Sequence, residues 1–318
     1  MNKDRQITID ANLCSRAAQV IREGGIVAFP TETVYGLGAN ALDEAAVRRV
    51  FQVKGRPASH PLIVHLSDTS TLEQWTGPLP DAAIRLAERF WPGPLTLILP
   101  KSPKVPRVVT GGQDTVGLRV PNHPVALALL REFGGGIAAP SANRFGNVSP
   151  TTAEHVRRDL ANDVDLILDG GPCAVGVEST IVSLIGEQPT IVRPGGVTRE
   201  EIEALLGGPV PVAHASAVRA PGQFDSHYAP RAEVILLPSD ELERCALKLR
   251  EQGRQVRVLS MMEVLPKSLF ASLRRADDEG VEIVLASLPN ETGMGLAIAD
   301  RLRKAAAPRV GKRSVESD

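Results

Sequence analysis

The chain has 318 residues, 43% hydrophobic and 23% charged, which suits an ordinary globular protein of about two domains. Thirty-six Lys and Arg against 37 Asp and Glu leave a net charge of −1, which excludes a global basic field for gripping nucleic acid but not a local basic pocket. Aromatic residues are only 3%, against 28 Gly and 25 Pro, a composition of shaped loops rather than of base-stacking surfaces.

Asp10 is placed to cap a first helix carrying Leu13, Ala17, Val20 and Ile21, stopped by Gly24 and Gly25. Residues 26–29 read as a buried strand ended by Pro30. A helix follows over 43–54, closed by Gly55, then a strand over 62–66 and an amphipathic helix over 81–91. Further strands are expected at 95–99, 116–120, 137–139, 166–168, 180–184 and 190–192, with helices at 124–133, 153–160 and 199–206. So many strands in short succession predict a twisted mixed sheet rather than a strict βαβ ladder. Residues 207–230 lack periodicity and are rich in Pro, Gly, Ala and Ser, so they read as a linker. Beyond them, strands at 234–237, 256–259 and 281–286 with helices at 240–251 and 294–307 predict a small Rossmann-like α/β module. The expected division is a catalytic domain over 1–208, a linker or lid over 209–230 and a C-terminal domain over 231–318.

Cys14, Cys173 and Cys245 are far apart and form no CxxC pair, so neither a disulfide framework nor a zinc site is expected. The first ten residues have no apolar h-region and no apolar run reaches membrane-spanning length, which predicts a cytoplasmic protein with no membrane contact. On that reading the sequons at Asn147 and Asn290 are chance matches. No Walker A loop is present, since Gly311-Lys312 continues with Arg313. The G-x-G-x-x-A match at Gly36–Ala41 lacks the ribose-binding acid where a dinucleotide site needs one. Gly111-Gly112-Gln113 matches the tripeptide of peptide-release factors, but a turn is the better reading.

The residues that carry chemistry sit in loops bordering strands, where α/β folds place ligands. PTETVYGLG (30–38) offers hydroxyls and permissive glycines, and KGRPASHP (54–61) offers two cations around a glycine. Arg119 lies inside an otherwise apolar strand, and APSAN (139–143) and SPT (149–151) supply further hydroxyls. Each has a bland alternative: Lys54 and Arg56 as a solvated helix end, Arg119 as an edge ion pair, His65 as a satisfied core histidine, Ser141 and Asn143 as turn formers. Together, four cations (Lys54, Arg56, Arg119, Arg193) at strand ends of a chain without net positive charge indicate a pocket for an anionic ligand, most simply a nucleotide. Lys54 and Arg56, as exposed strand-end cations, are expected to contribute little to stability, so that alanine at either leaves the fold intact.

The segments PTETVYGLG, KGRPASHPLIVH, TVGLRVPNHP, APSAN, GVESTIV and VRPGG resemble, in order and spacing, the threonylcarbamoyl-AMP synthases with the YrdC-like fold; the linker and second α/β module resemble the longer, two-domain form. The resemblance implies a YrdC-like mixed-sheet catalytic domain that joins L-threonine, bicarbonate or CO2 and ATP into L-threonylcarbamoyladenylate. It also implies Mg²⁺ on the ATP phosphates, at ligands left unknown. The product would pass to tRNA threonylcarbamoyltransferase machinery, and direct contact with tRNA is a further possibility.

Carried over residue by residue, the resemblance puts the catalytic set at Lys54, Arg56, Ser141 and Asn143. Threonine contacts fall on Thr33, His65, Arg119, Ala139 and Ser179. ATP contacts fall on Arg56, His60, Thr115, Ser141, Ser149 and Arg193, with Tyr228 near the nucleotide. Two departures stand out: His60 replaces the family's common Asn, and Gln223 to Ser226 replace the usual basic linker residues. The rival from another class is an RNA-binding module in tRNA maturation or translation. A second rival is a carbamoyl-adenylate transferase of a metallocentre maturase, which needs zinc-finger and acylphosphatase-like segments not found in this sequence.

Overall fold

The computed structural model describes residues 10–213, 218–222 and 227–308. They fall into two compact units. Residues 10–145, 149–213 and 218–222 form the first; residues 146–148 and 227–308 form the second.

In the first unit α1 (Ala11–Arg22) is capped by the Asp10 carboxylate, which accepts from the Leu13 N–H. β1 (Val27–Phe29) and β2 (Gly36–Asn40) pair antiparallel. The sequence gives no strand signal at β2, because Gly36 and Gly38 break its pattern. Gly38 is needed there: a Cβ on it would meet Ile137 at 2.6 Å and the Phe29 ring at 2.7 Å. α2 (Glu44–Lys54) runs from an Asp43 cap to Gly55 in the left-handed conformation. Then come β3 (Ile63–His65), a one-turn α3 (Leu72–Trp75) that carries no long periodic signal, α4 (Asp81–Phe90), β4 (Leu95–Pro100), β5 (Thr115–Arg119), α5 (Pro124–Phe133) and β6 (Ile137–Ala139). Gly111 and Gly112, both at positive φ, turn the chain between β4 and β5. α6 (Ala153–Leu160), β7 (Leu166–Ile167), β8 (Thr180–Ser183), β9 (Thr190–Arg193) and α7 (Arg199–Leu206) complete the unit, α7 with a Thr198/Glu201 capping box.

The described strands form a mixed nine-stranded sheet in the order β7-β1-β2-β6-β3-β5-β4-β8-β9. Strand alternation builds a core on each face: Ala28 of β1 joins the cluster that includes Val47, Val50, Leu86 and Val156, while Val27 and Phe29 join Ala17, Ile21, Leu129 and Leu130 from α1 and α5.

In the second unit β10 (Glu233–Leu236), α8 (Leu242–Glu251), β11 (Val256–Val258), α9 (Pro266–Asp278), β12 (Ile283–Ala286) and α10 (Gly295–Ala306) form a three-stranded parallel sheet, order β10-β12-β11, with its helices. α9 was not expected. Pro266 at its first turn reads as a breaker in a pattern search but starts a helix well, since its missing N–H would have been unpaired there. Tyr228 belongs to this unit, at φ 60°, with its ring stacked 5.5 Å from Phe270 and 5.0 Å under the Arg301 guanidinium. The linker residues Gln223 to Ser226, expected to be atypical for want of basic groups, lie outside the described residues.

Candidate functional site

Three neighbouring strands of the first unit carry the centre of the site. β3 pairs parallel with β5, placing His65 opposite Arg119, and antiparallel with β6, placing Ile63 opposite Ala139. His65 is buried, and burial followed by the Arg119 charge lowers its pKa to about 3, so it stays neutral at ordinary pH. Arg119 is buried too. Its Nε donates to the Gly93 carbonyl at 3.3 Å and its Nη2 lies 2.8 Å from Glu32 Oε1. Thr33 follows Glu32 in the same loop, fully buried, its hydroxyl 2.8 Å from that of Thr31.

Lys54 closes α2 and reaches the 139–143 loop. Its ammonium donates to the carbonyls of Ser141 and Asn143. Lys54 is 2% exposed, and burial, with Arg56 and Arg144 adding to it and Asp159 opposing, holds its pKa well below the usual lysine value. Arg56 donates to the Pro61 carbonyl at 3.0 Å, and both Arg56 and His60 lie against the Phe145 ring. Burial, then the charges of Arg56 and Arg219, take His60 down to about 4.

These positions correct one expectation. Lys54 and Arg56 are not exposed: Lys54 is buried and Arg56 is only 8% exposed, and Arg119 and Arg193 are buried as well, at 4% each. Lys54 ends a helix and Arg56 lies in the loop after it, Arg119 and Arg193 end strands, and all four donate to loop carbonyls.

The third cluster is built from β8, β9 and the loops before them. Ser179 Oγ lies 2.8 Å from Thr96 Oγ1 and accepts from Arg193 Nη2 at 3.1 Å. Arg193 also donates to the Ser179 carbonyl and, through Nη1, to the Pro221 carbonyl at 3.1 Å. Ser149 Oγ donates to Glu178 Oε1 at 2.6 Å. Thr115, half-buried, lines a pocket with Thr96, Gln113, Arg219 and Pro221.

The first unit thus holds every expected site residue except Tyr228, which lies in the second. Thr96 and Arg219 were not singled out from sequence, and Glu32, Glu178 and Gln113 stood in noted motifs without a site role. Glu32 and Glu178 each immediately precede a chosen hydroxyl residue, Thr33 and Ser179, and a carboxylate entering an otherwise neutral motif was the available signal. Among the described residues no group of three or more His, Cys, Asp or Glu side chains could hold a metal ion. No helix among them is long and apolar enough to cross a membrane.

Residues 19–195 match the family model described as Telomere recombination, and residues 197–307 match that of the threonylcarbamoyl-AMP synthase C-terminal domain. The threonylcarbamoyl-AMP synthase of Pyrococcus abyssi is 47% identical over 93% of this chain and 94% of its own. That of Bacillus subtilis is 44% identical over 93% of each. This chain belongs to the threonylcarbamoyl-AMP synthase family. Membership makes it an enzyme of the two-domain form. A crystal structure of the P. abyssi protein complexed with L-threonine superposes with a TM-score of 0.89 at 45% identity, covering 94% of this chain and 95% of that one.

Proposed function

We propose that this chain synthesises L-threonylcarbamoyladenylate from L-threonine, bicarbonate or CO2 and ATP, releasing pyrophosphate, for N6-threonylcarbamoyladenosine formation in tRNA. The similarity across nearly the whole chain to synthases of that name carries the reading, and the buried cations of the first unit support it.

Threonine's amine adds to CO2 to give a carbamate, whose oxygen must attack the α-phosphorus of ATP. An anion then approaches a polyanion, and fixed positive charge in a site of low dielectric lowers that barrier. Arg119 is suited to threonine's carboxylate. His65, neutral and opposite Arg119, adds no second charge, and with Thr33, Ala139 and Ser179 it would surround the amino acid.

Arg56 and Arg193 would neutralise phosphate charge, with His60, Thr115, Ser141 and Ser149 as neutral contacts. Lys54 would act partly through the loop it holds, fixing Ser141 and Asn143. Positioning supplies most of the rate. Mg²⁺ would be held mainly by the ATP phosphates, as is usual for this ion, and would spread their charge.

We further assign residues 209–230 a lid role. Pro221 accepts from Arg193, and Arg219 donates to the Gly111 carbonyl at 2.9 Å and from its backbone to Gln113 at 2.7 Å, which ties Arg219 and Pro221 to site residues of the same unit. Tyr228, stacked on Phe270 in the second unit, is retained as a proposed nucleotide contact. Transfer to tRNA-modifying machinery is the expected fate of a labile mixed anhydride.

The test is mass spectrometry of the products after mixing protein, ATP, threonine and bicarbonate, with threonine-dependent pyrophosphate release measured in parallel. The adenylate supports the reading; its absence, with no threonine-dependent pyrophosphate, overturns it.

A further inference from the structure

Two buried side chains of the first unit, Glu32 and Arg119, carry polar atoms with no aligned hydrogen-bond partner among the described residues: both carboxylate oxygens of Glu32 and Nη2 of Arg119. They are one group. Glu32 and Arg119 approach to 2.8 Å without hydrogen-bond alignment. His65 is the register partner of Arg119. The charge of Glu32 acts on His123, whose Nδ1 accepts from the Val125 N–H at the start of α5.

Buried polar groups are nearly always satisfied, and a buried ion pair without supporting hydrogen bonds is a poor source of stability. A buried, misaligned pair of one negative and one positive group, with the neutral His65 beside it, is complementary to a small ligand that itself carries both charges.

Resting on the proposed threonine-dependent reaction, we infer that Glu32 is the ammonium-binding residue of the amino-acid pocket, so that the Glu32–Arg119 pair recognises a zwitterion, Glu32 taking the α-ammonium and Arg119 the α-carboxylate. The ligand replaces one misaligned ion pair with two aligned ones. It also explains a carboxylate in a site otherwise built to attract anions: without it, Arg119 would hold any small carboxylate, including ones with no amine to carbamoylate.

Isothermal titration of the full chain with L-threonine and with 2,3-dihydroxybutanoate, the same acid with hydroxyl in place of the amine, tests this. Wild type should prefer threonine by about tenfold or more, the worth of a charged hydrogen bond. Glu32→Gln, of nearly the same shape, should lose that preference: threonine weakens about tenfold or more while dihydroxybutanoate binds as well as before or better, its partner Arg119 having lost a competitor. Equal weakening of both ligands, or unchanged threonine affinity, overturns the inference. Should Glu32→Gln fail to fold, as judged by its thermal transition, the wild-type comparison alone decides, and absence of preference for threonine over the deaminated acid is fatal. A wild-type chain that ignores threonine but binds another amino acid in a Glu32-dependent way would sink the proposed substrate and leave this inference standing.

Discussion

Lys54, proposed above for the chemistry, also holds the fold through its hydrogen bonds to the Ser141 and Asn143 carbonyls. Lys54→Ala removes a donor from two carbonyls in the 139–143 loop, so it should abolish adenylate formation and also lower stability by about 1–3 kcal/mol, read by denaturant unfolding. Arg56→Ala should abolish synthesis likewise, and near-normal turnover in both variants would remove them from the machinery. His65 gives a pH signature. Folded, it titrates near 3 rather than the ordinary 6.5, so between those values the unfolded chain binds the proton that the folded chain refuses. Its contribution is therefore full above about 6.5 and is lost as pH falls toward 3, and His65→Asn should flatten the fall of the thermal midpoint across that window. The pocket's reading of the substrate is a residue-scale matter too. Serine lacks only a methyl group and should be discriminated against by roughly 10–200-fold in kcat/KM, whereas valine, which leaves a hydroxyl partner unpaired, should be rejected more strongly.

At the scale of elements, Gly195 is tightly constrained beside Ser179 and Arg193. A Cβ there would lie 2.3 Å from the Glu178 carbonyl oxygen, the Ser179 carbonyl carbon and the Thr180 nitrogen, all backbone atoms that cannot swing aside. Gly195→Ala should push β8 away from the turn after β9 and separate Ser179 from Arg193, costing about 1–3 kcal/mol and most of the synthesis; a variant with native melting and turnover would refute this. The Arg193-Pro194-Gly195-Gly196 segment can be picked out in the sequence, but not the reason for it. Helices with a polar cap and a glycine stop, such as α2 and α7, were legible because local chemistry fixes their ends. β2 and α9 were not, since a strand made of glycines and a helix opened by proline take their form from neighbours and position rather than from periodicity. The site was legible as a set of cations and hydroxyls; Glu32 escaped because its meaning depends on Arg119, brought beside it only by the sheet.

For the molecule as a whole, the stretch after α7 decides whether the first unit is self-sufficient. Truncation after Gly208 removes the Pro221 carbonyl from Arg193 and the Arg219 contacts from Gln113 and Gly111. It should abolish or sharply reduce synthesis while the remaining domain keeps its cooperative unfolding; full activity of the truncated chain would make this stretch a tether. The pairing of β3 with β5 and β6 has a consequence in time. Both partners follow β3 at long sequence separation, so His65, Arg119 and Ala139 have no local precursor and meet only when the loops between them have closed. During refolding, helical ellipticity from α1, α2 and α4 should return before the capacity to bind threonine does, and a nascent chain still lacking β5 and β6 would carry the PTETVYG and KGRPASHP motifs complete in sequence yet inert.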